Sequence, residues 1–196
     1  MPEFSAAGEA GDAKSTLINL LREHSLIHGE FTLASGAKAS YYVDVRRTIM
    51  RPDGLAAAGS LIAAYANEVG AKAVGGPVMA AIPLACAAIA VPEGAGLRGF
   101  FVRKERKEHG LQRWVEGAAE PGERVLVVED TVTTGGSTVA AIELIREQGF
   151  EIAAVLGVVD RLAGGAERIE AAAGAPFRAL VTIDELYPDR PDRPAA

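Results

Sequence analysis

The 196-residue chain contains a single cysteine, so no intrachain disulfide can form. That residue, Cys86, lies in an apolar stretch, which favours a buried thiol and is compatible with a reducing compartment. No apolar run is long enough to cross a bilayer, because the longest covers 14 residues, 78 to 91, and contains Pro83. We expect this run to form a buried helix.

The chain also lacks an excess of positive charge, since its formal net charge is −6. A broad nucleic-acid surface needs clustered basic residues, so this class of function is disfavoured, although a local basic site is compatible with the charge. Residues 1 to 12 lack the basic start and apolar core of a signal peptide. We therefore expect a cytoplasmic protein that binds neither nucleic acid nor membrane.

The length fits one domain with a single core. We expect residues 1 to 12 and the tail 189 to 196 to be disordered, because small, charged and proline residues dominate them. Residues 13 to 188 form the predicted domain. Elements from about 14 to 48, together with the C-terminal segment, are expected to build a small hood over it.

Strand and helix patterns alternate from about residue 52 onward. The strand candidates, such as RVLVV (124–128) and IAAVLGVVD (152–160), are continuous apolar runs that imply burial on both faces. The predicted fold is therefore α/β, with a central, mainly parallel sheet flanked by helices. Ligands of such sheets bind at the carboxyl ends of the strands.

One of these strands leads directly into two acids and a turn rich in threonine and glycine, VLVVEDTVTTGGST. Free backbone N–H groups and the positive end of a helix dipole bind anions at such a turn. Glycine leaves room for the anion, and hydroxyl groups add donors. We predict a phosphate between Thr131 and Thr138, with Thr133, Thr134, Gly135, Gly136 and Ser137 around it.

The two acids, Glu129 and Asp130, should face another part of the ligand, because carboxylates repel phosphate. Sugar hydroxyls or a divalent cation suit them. The turn contains neither GxxxxGK[ST] nor GxGxxG, so a ribose 5-phosphate fits better than a nucleoside triphosphate or a dinucleotide. The alternative is an ordinary strand-to-helix turn in which Asp130 is a cap.

The same stretch resembles the ribose-diphosphate signature of type I phosphoribosyltransferases, which bind 5-phosphoribosyl 1-diphosphate with Mg²⁺. The resemblance implies that fold and Mg²⁺ held through diphosphate and ribose oxygens, with no direct protein ligand. It also implies that the diphosphate sugar contacts Glu129, Asp130, Thr131, Val132, Thr133, Thr134, Gly135, Gly136 and Ser137.

A second cluster, RKERKEHG (103–110), concentrates cations in an acidic protein and therefore predicts a local anion such as diphosphate. The alternative is a solvated helix face with Glu–Lys pairs. The stretch is similar to the catalytic loop of orotate phosphoribosyltransferases. That likeness implies diphosphate contacts from Arg103, Lys104, Lys107 and His109, a catalytic set of Lys107, Asp130, Lys104 and His109 with Lys107 foremost, and a homodimer that shares the loop between subunits.

Two further stretches resemble the same family. GEFTLASGAKASYYVDVRR (29–47) is similar to the segment that encloses the pyrimidine, and VGGPVMAAIPLA (74–85) to a diphosphate-binding turn. Arg161, after a buried strand, and Thr133 are implied to contact orotate; alone, Arg161 would suggest a surface salt bridge. Ala34 and Ala80 replace family lysines, which leaves Lys38 and Lys72 as candidates to compensate.

The expected activity is that of a pentosyltransferase of pyrimidine synthesis. It would convert orotate and 5-phosphoribosyl 1-diphosphate to orotidine 5′-monophosphate and diphosphate. Two alternatives stay open. One is a phosphoribosyltransferase for a purine or uracil, and the other is a non-catalytic regulator that senses phosphoribosyl diphosphate.

Overall fold

The computed structural model describes residues 6–32, 36, 38–105 and 114–193. Its central feature is a six-stranded sheet of β3 (Ala73–Pro77), β4 (Arg98–Val102), β5 (Val115–Gly117), β6 (Arg124–Val132), β7 (Glu151–Asp160) and β8 (Phe177–Thr182). The strands lie in the order β5-β4-β3-β6-β7-β8. All neighbouring strands are parallel except β4 and β5. The predicted, mainly parallel sheet is confirmed.

Helices cover both faces of this sheet, which explains the continuous apolar strands. In β6, Leu126 and Val128 pack into one core, whereas Val125 and Val127 pack into a second core on the opposite face. Alternate side chains of a strand point to opposite faces, so each face supplies its own apolar partners. The helices are α3 (Pro52–Glu68), α4 (Ala81–Ala90), α5 (Gly136–Glu147), α6 (Gly165–Ala173) and α7 (Ile183–Leu186), with a 3₁₀ turn at Pro92–Gly94.

The hood precedes the sheet along the chain. Two antiparallel strands form it, paired from Leu26 opposite Val43 to Thr32 opposite Lys38. The hood elements are α1 (Ala6–Leu20), a π-helix (Leu21–Ser25), β1 (Leu26–Thr32), β2 (Lys38–Val43) and α2 (Arg46–Ile49).

The sheet has a topological switch point between β3 and β6. These strands are neighbours, but the chain continues from β3 outward to β4 and from β6 outward to β7 on the other side. The loops that follow β3 and β6 therefore diverge and leave a crevice at the carboxyl edge of the sheet. Crevices of this kind are where open α/β sheets bind ligands.

Three expectations differ from the structure. Residues 6 to 12, within the segment expected to be disordered, are the first turns of α1. Cys86 is exposed, because it lies on the face of α4 that points away from the sheet. In the expected disordered tail, the Arg190 side chain is buried and paired with Asp184 and Asp192, so ion pairs hold a segment that its composition marks as loose.

No helix among the described residues is long and apolar enough to cross a membrane.

Candidate active site

The acid pair lies inside strand β6, because this strand continues to Val132. The Glu129 side chain is buried, and its Oε2 accepts hydrogen bonds from the hydroxyls of Ser137 and Thr138, each at 3.1 Å. Asp130 is half-buried, and its Oδ1 accepts the backbone N–H of Thr131 at 2.7 Å. The structure thus brings the two carboxylates to the carboxyl edge of the sheet, as the sequence predicts.

Burial raises the pKa of both acids. Desolvation, and then the charge of Asp130, raise the pKa of Glu129 to about 7, against the opposing hydrogen bonds from Thr138 and Ser137. Desolvation also raises the pKa of Asp130, although the Thr131 N–H, Glu129 and the Arg46 charge act in the other direction. Two adjacent carboxyl groups with raised pKa values are suited to partners that donate hydrogen bonds or carry positive charge.

The turn after β6 leads into helix α5, with the backbone of its first residues at the carboxyl edge of the sheet. Thr133, Thr134 and Gly136 are exposed there, and a Cβ added at Gly136 would meet no atom within 4 Å. Gly135 has a different role, because its φ of 73° is left-handed and its missing Cβ allows α6 to approach. The Ser137 hydroxyl donates to Glu129, so of the predicted hydroxyl donors it is the one directed at the acid.

Arg161 follows β7, and its backbone N–H donates to the Val132 carbonyl at 2.8 Å, which fixes it beside the end of β6. The Val132 side chain is buried in the core, so only its backbone can face a ligand. The Arg161 guanidinium donates from Nη2 to the Tyr41 hydroxyl at 3.1 Å. Its Nε is buried and has no hydrogen-bond partner among the described residues.

Asp130, the start of the turn and Arg161 meet in one cavity of about 250 Å³, called here the cavity of the acids, whereas Glu129 is buried and does not line it. The hood closes its other side with residues that were not predicted as site residues. Asp44 accepts a hydrogen bond from Arg46 Nε at 2.7 Å, and both charges act on the pKa of Asp130. The alternation in YYVDV places Tyr42 and Asp44 on one side of the chain, but it does not show that this side meets the site. The lining is Tyr42, Val43, Asp44, Arg46, Asp130, Thr131, Thr133 and Arg161.

The basic segment lies next to a different cavity. Arg103 and Lys104 line a space of about 360 Å³ together with Val78 and Met79 of the turn after β3. Arg103 donates from Nη1 to Glu116 Oε1 at 3.1 Å, so this cation is already paired. The structure therefore brings Arg103 and Lys104 to the predicted diphosphate turn and not into the cavity of the acids. Lys107 and His109 lie outside the described residues.

The two lysines considered as compensation lie in different parts of the fold, Lys38 in the hood strand β2 and Lys72 before β3. Lys72 precedes β3, and its N–H donates to the Arg124 carbonyl at the amino end of β6, so it is remote from the cavity of the acids. Lys38 lines a second cavity of about 550 Å³ that also borders Arg161. Of the two lysines, only Lys38 lies near Arg161 and therefore near the candidate site. Ala34 lies outside the described residues.

Within the described ranges, no group of three or more histidine, cysteine, aspartate and glutamate side chains is arranged to hold a metal ion. Glu129 and Asp130 are hard oxygen donors at the end of β6. This chemistry is compatible with a Mg²⁺ ion that the oxygens of a phosphorylated substrate hold beside them.

Comparison with known proteins agrees with this geometry. Residues 53 to 173 match the family model of the phosphoribosyl transferase domain. Orotate phosphoribosyltransferase from Streptomyces avermitilis is 44% identical over 177 residues, which cover 89% of this chain and 97% of that protein. The Corynebacterium glutamicum (strain R) enzyme of the same name is 43% identical over 175 residues, covering 89% and 94% of the two chains.

Solved structures give the same result. Mycobacterium tuberculosis orotate phosphoribosyltransferase in complex with Fe(III) dicitrate superposes with a TM-score of 0.82 at 40% identity, covering 89% of this chain and 99% of that one. The complex of that enzyme with 5-phospho-α-D-ribosyl 1-diphosphate gives a TM-score of 0.77 at 36% identity, covering 89% and 98%.

The fold and the site therefore define a type I phosphoribosyltransferase. More narrowly, the chain belongs to the orotate phosphoribosyltransferase family.

Proposed function

We propose that the protein transfers a phosphoribosyl group from 5-phosphoribosyl 1-diphosphate to orotate, giving orotidine 5′-monophosphate and diphosphate in pyrimidine synthesis. One observation carries the proposal: Asp130, the start of the turn at Thr131 and Thr133, and Arg161 border the same cavity, next to the switch point of the sheet. The acid suits the hydroxyls of the sugar, the turn suits its phosphate, and Arg161 suits the carboxylate of the base.

The sugar would be held by two kinds of group. Backbone N–H groups of residues 131 to 137 bind the 5′-phosphate, helped by the α5 dipole. Glu129 and Asp130 accept hydrogen bonds from the ribose hydroxyls. When the bond from the anomeric carbon to diphosphate breaks, positive charge develops on the sugar, and the nearby carboxylates stabilise that charge.

The base would be held from the opposite side. A guanidinium binds a planar carboxylate with two parallel hydrogen bonds, and the unpartnered Nε of Arg161 is a donor for such a bond. Thr133 borders the same cavity and adds a hydroxyl. No side chain needs to remove a proton, because the ring nitrogen of orotate is acidic enough to react as an anion.

The leaving diphosphate would lie over the turn after β3, where Arg103 and Lys104 already border a cavity. Lys107 and His109 belong to the same basic segment and complete the set, with Lys107 as the foremost catalytic residue. Arg103 would exchange its Glu116 partner for a phosphate oxygen. Mg²⁺ would neutralise diphosphate charge, held by diphosphate and ribose oxygens beside Glu129 and Asp130.

A homodimer in the cytoplasm completes the proposal. Helix α4 presents Ile82, Cys86 and Ile89 to solvent at spacings of four and three residues, which is one helix face. Met79, at 74% exposure, extends this apolar surface to the cavity that Arg103 and Lys104 border. A second copy seated on this face would lie next to the basic segment, which suits a loop shared between subunits.

The test is an assay of the purified protein with Mg²⁺, phosphoribosyl diphosphate and, separately, orotate, uracil, adenine and hypoxanthine. Of the four bases, we expect only orotate to give release of diphosphate. The Arg161→Ala variant should raise the KM for orotate by about 10-fold or more, the effect of losing a charged hydrogen-bonded pair. Arg124→Ala is the matched control, because this arginine pairs with Glu151 at the opposite sheet edge.

Turnover with a purine or uracil but not with orotate would replace this function with the first alternative. Binding of phosphoribosyl diphosphate without turnover of any base would favour the sensing regulator.

A further inference from the structure

Behind Arg161 lies a chain of three side chains from distant parts of the sequence. The Arg161 guanidinium donates from Nη2 to the Tyr41 hydroxyl at 3.1 Å, and that hydroxyl donates to both carboxylate oxygens of Asp192 at 3.0 Å. The guanidinium carbon also lies 5.0 Å from the centre of the Tyr41 ring. Tyr41 therefore contacts Arg161 through its hydroxyl and through its ring.

The direction of these hydrogen bonds is fixed. Tyr41 is 2% exposed, and burial, as the largest cause, raises the pKa of its phenol. The phenol stays protonated and donates a hydrogen bond to Asp192. Its oxygen is therefore the acceptor of the hydrogen bond from Arg161. A positive group and a negative group are thereby linked through one neutral hydroxyl.

Asp192 is itself held in place. Arg190 Nε lies 3.3 Å from Asp192 Oδ1, and the Arg190 side chain, only 5% exposed, also pairs with Asp184. The Tyr187 ring packs edge-on against Tyr41, with ring centres 5.3 Å apart. A buried arginine is costly unless it is paired, so these contacts commit residues 187 to 193, called here the C-terminal strap, to one position against Tyr41.

The hydrogen bond from Arg161 to Tyr41 matters because the Arg161 side chain borders two cavities. One holds Asp130, Thr131 and Thr133, and the other, of about 550 Å³, offers the carboxylates of Glu30 and Asp192. An arginine that has lost its fixed partner can turn toward either side. Holding one guanidinium nitrogen on Tyr41 limits this rotation and prepares the group for a ligand before the ligand arrives.

We propose that Tyr41 and Asp192 are positioning residues for Arg161, and that the C-terminal strap thereby sets the affinity for the carboxylate of the base. This inference rests on the proposed function, in which Arg161 binds that carboxylate. Neither Tyr41 nor Asp192 borders the cavity of the acids. Their effect passes through the guanidinium.

The test compares variants that remove single links of the chain. Tyr41→Phe removes only the hydroxyl, and Asp192→Ala removes the acceptor from a side chain that is 57% exposed, while Asp184 still pairs with Arg190. We expect each to raise the KM for orotate by about 5- to 20-fold, with the KM for phosphoribosyl diphosphate unchanged. Asp192→Asn keeps an oxygen acceptor and should recover most of the affinity.

Two matched controls separate positioning from general damage. Tyr65→Phe alters a buried tyrosine whose ring stacks on Arg178 away from the site, and Asp189→Ala alters an exposed acid of the same strap. Both should leave the KM for orotate unchanged. In an Arg161→Ala background, Tyr41→Phe and Asp192→Ala should have no further effect, because residues that act as a unit are not additive.

Three results would overturn the inference: an unchanged KM for orotate in both variants, equal rises in the KM of both substrates, or a full additional effect in the Arg161→Ala background. A wild-type protein that does not turn over orotate would instead reject the proposed function, and this inference with it. An active wild type with unaffected variants rejects the positioning role alone.

Discussion

Glu129 and Asp130 are adjacent in sequence but have different surroundings. Glu129 is 6% exposed and receives two side-chain hydroxyls, whereas Asp130 faces the cavity and the charge of Arg46. Burial raises the pKa of Glu129 to about 7, so a part of the protein molecules carries a proton there at neutral pH. A protonated carboxyl group has lost a lone pair that a ribose hydroxyl would use.

Affinity for phosphoribosyl diphosphate should therefore rise with pH. Between pH 6 and 8, Glu129 loses its proton as the pH passes about 7, and we expect the Kd, measured by calorimetry at fixed Mg²⁺, to fall by about 10-fold. Glu129→Gln is the control, because it keeps the shape and leaves only the titration of the ligand's own phosphate groups. If the Kd of the two proteins changed equally with pH, the titration of Glu129 would have no role in binding.

At the scale of elements, the buried strands and their helices could be predicted because each carries its own signal. RVLVV and IAAVLGVVD are apolar throughout, since helices cover both sides of β6 and β7. Strand β1 has no such signal, because its residues are mostly exposed and only pairing with β2 makes it a strand. The three-residue β5 likewise exists by pairing with β4.

The acids and the turn of the candidate site could be predicted, because they are consecutive in the sequence. The end of one strand and the start of the next helix are enough to position them. The contributions of Asp44, Arg46 and Tyr41 could not, because the hood brings them to the site across the sequence. Arg190 and Asp192 were missed for the opposite reason. Their composition indicates a loose tail, and only tertiary ion pairs order it.

The two glycines of the turn should behave differently. An alanine at Gly135 would adopt a φ of 73° and place its Cβ 3.0 Å from the Gly165 carbonyl, so Gly135→Ala should reduce the free energy of unfolding by about 1–3 kcal/mol. At Gly136 a Cβ meets no protein atom within 4 Å. Gly136→Ala should keep its stability but weaken binding of phosphoribosyl diphosphate, because the methyl group would enter the phosphate site.

Denaturant unfolding and calorimetry of both variants test this pair. Equal losses of stability would contradict the assignment of strain to Gly135. Unweakened binding by Gly136→Ala would place the phosphate elsewhere.

At the scale of the whole molecule, function is divided between two regions of the carboxyl edge. Asp130, the start of the turn and Arg161 share one cavity, and Arg103 with Lys104 borders another. The substrate must join them, because a phosphoribosyl diphosphate carries phosphate at both ends. The apolar face of α4 lies beside the second region, so assembly and diphosphate binding are expected to depend on each other.

Charges on that face should therefore separate the proposed dimer. Ile82 and Ile89 are 37% and 40% exposed, so Ile82→Glu with Ile89→Glu is tolerated by the fold but would place carboxylates in an apolar interface. We expect monomers by light scattering and a loss of kcat/KM of about 10-fold or more, because a shared loop would lose its second site.

Met50→Glu is the control for this double variant, since Met50 is 71% exposed and lies outside α4. A wild-type monomer, or a double variant that remains dimeric, would contradict the assignment of this face.

The most direct test of the division of labour at the end of β6 is a crystal structure of the protein with Mg²⁺, phosphoribosyl diphosphate and orotate. We predict density for the 5′-phosphate against the backbone of residues 131 to 137, with the ribose hydroxyls on Glu129 and Asp130 and the orotate carboxylate on Arg161. A sugar phosphate bound away from this turn, with the two acids engaged by protein cations, would contradict the account.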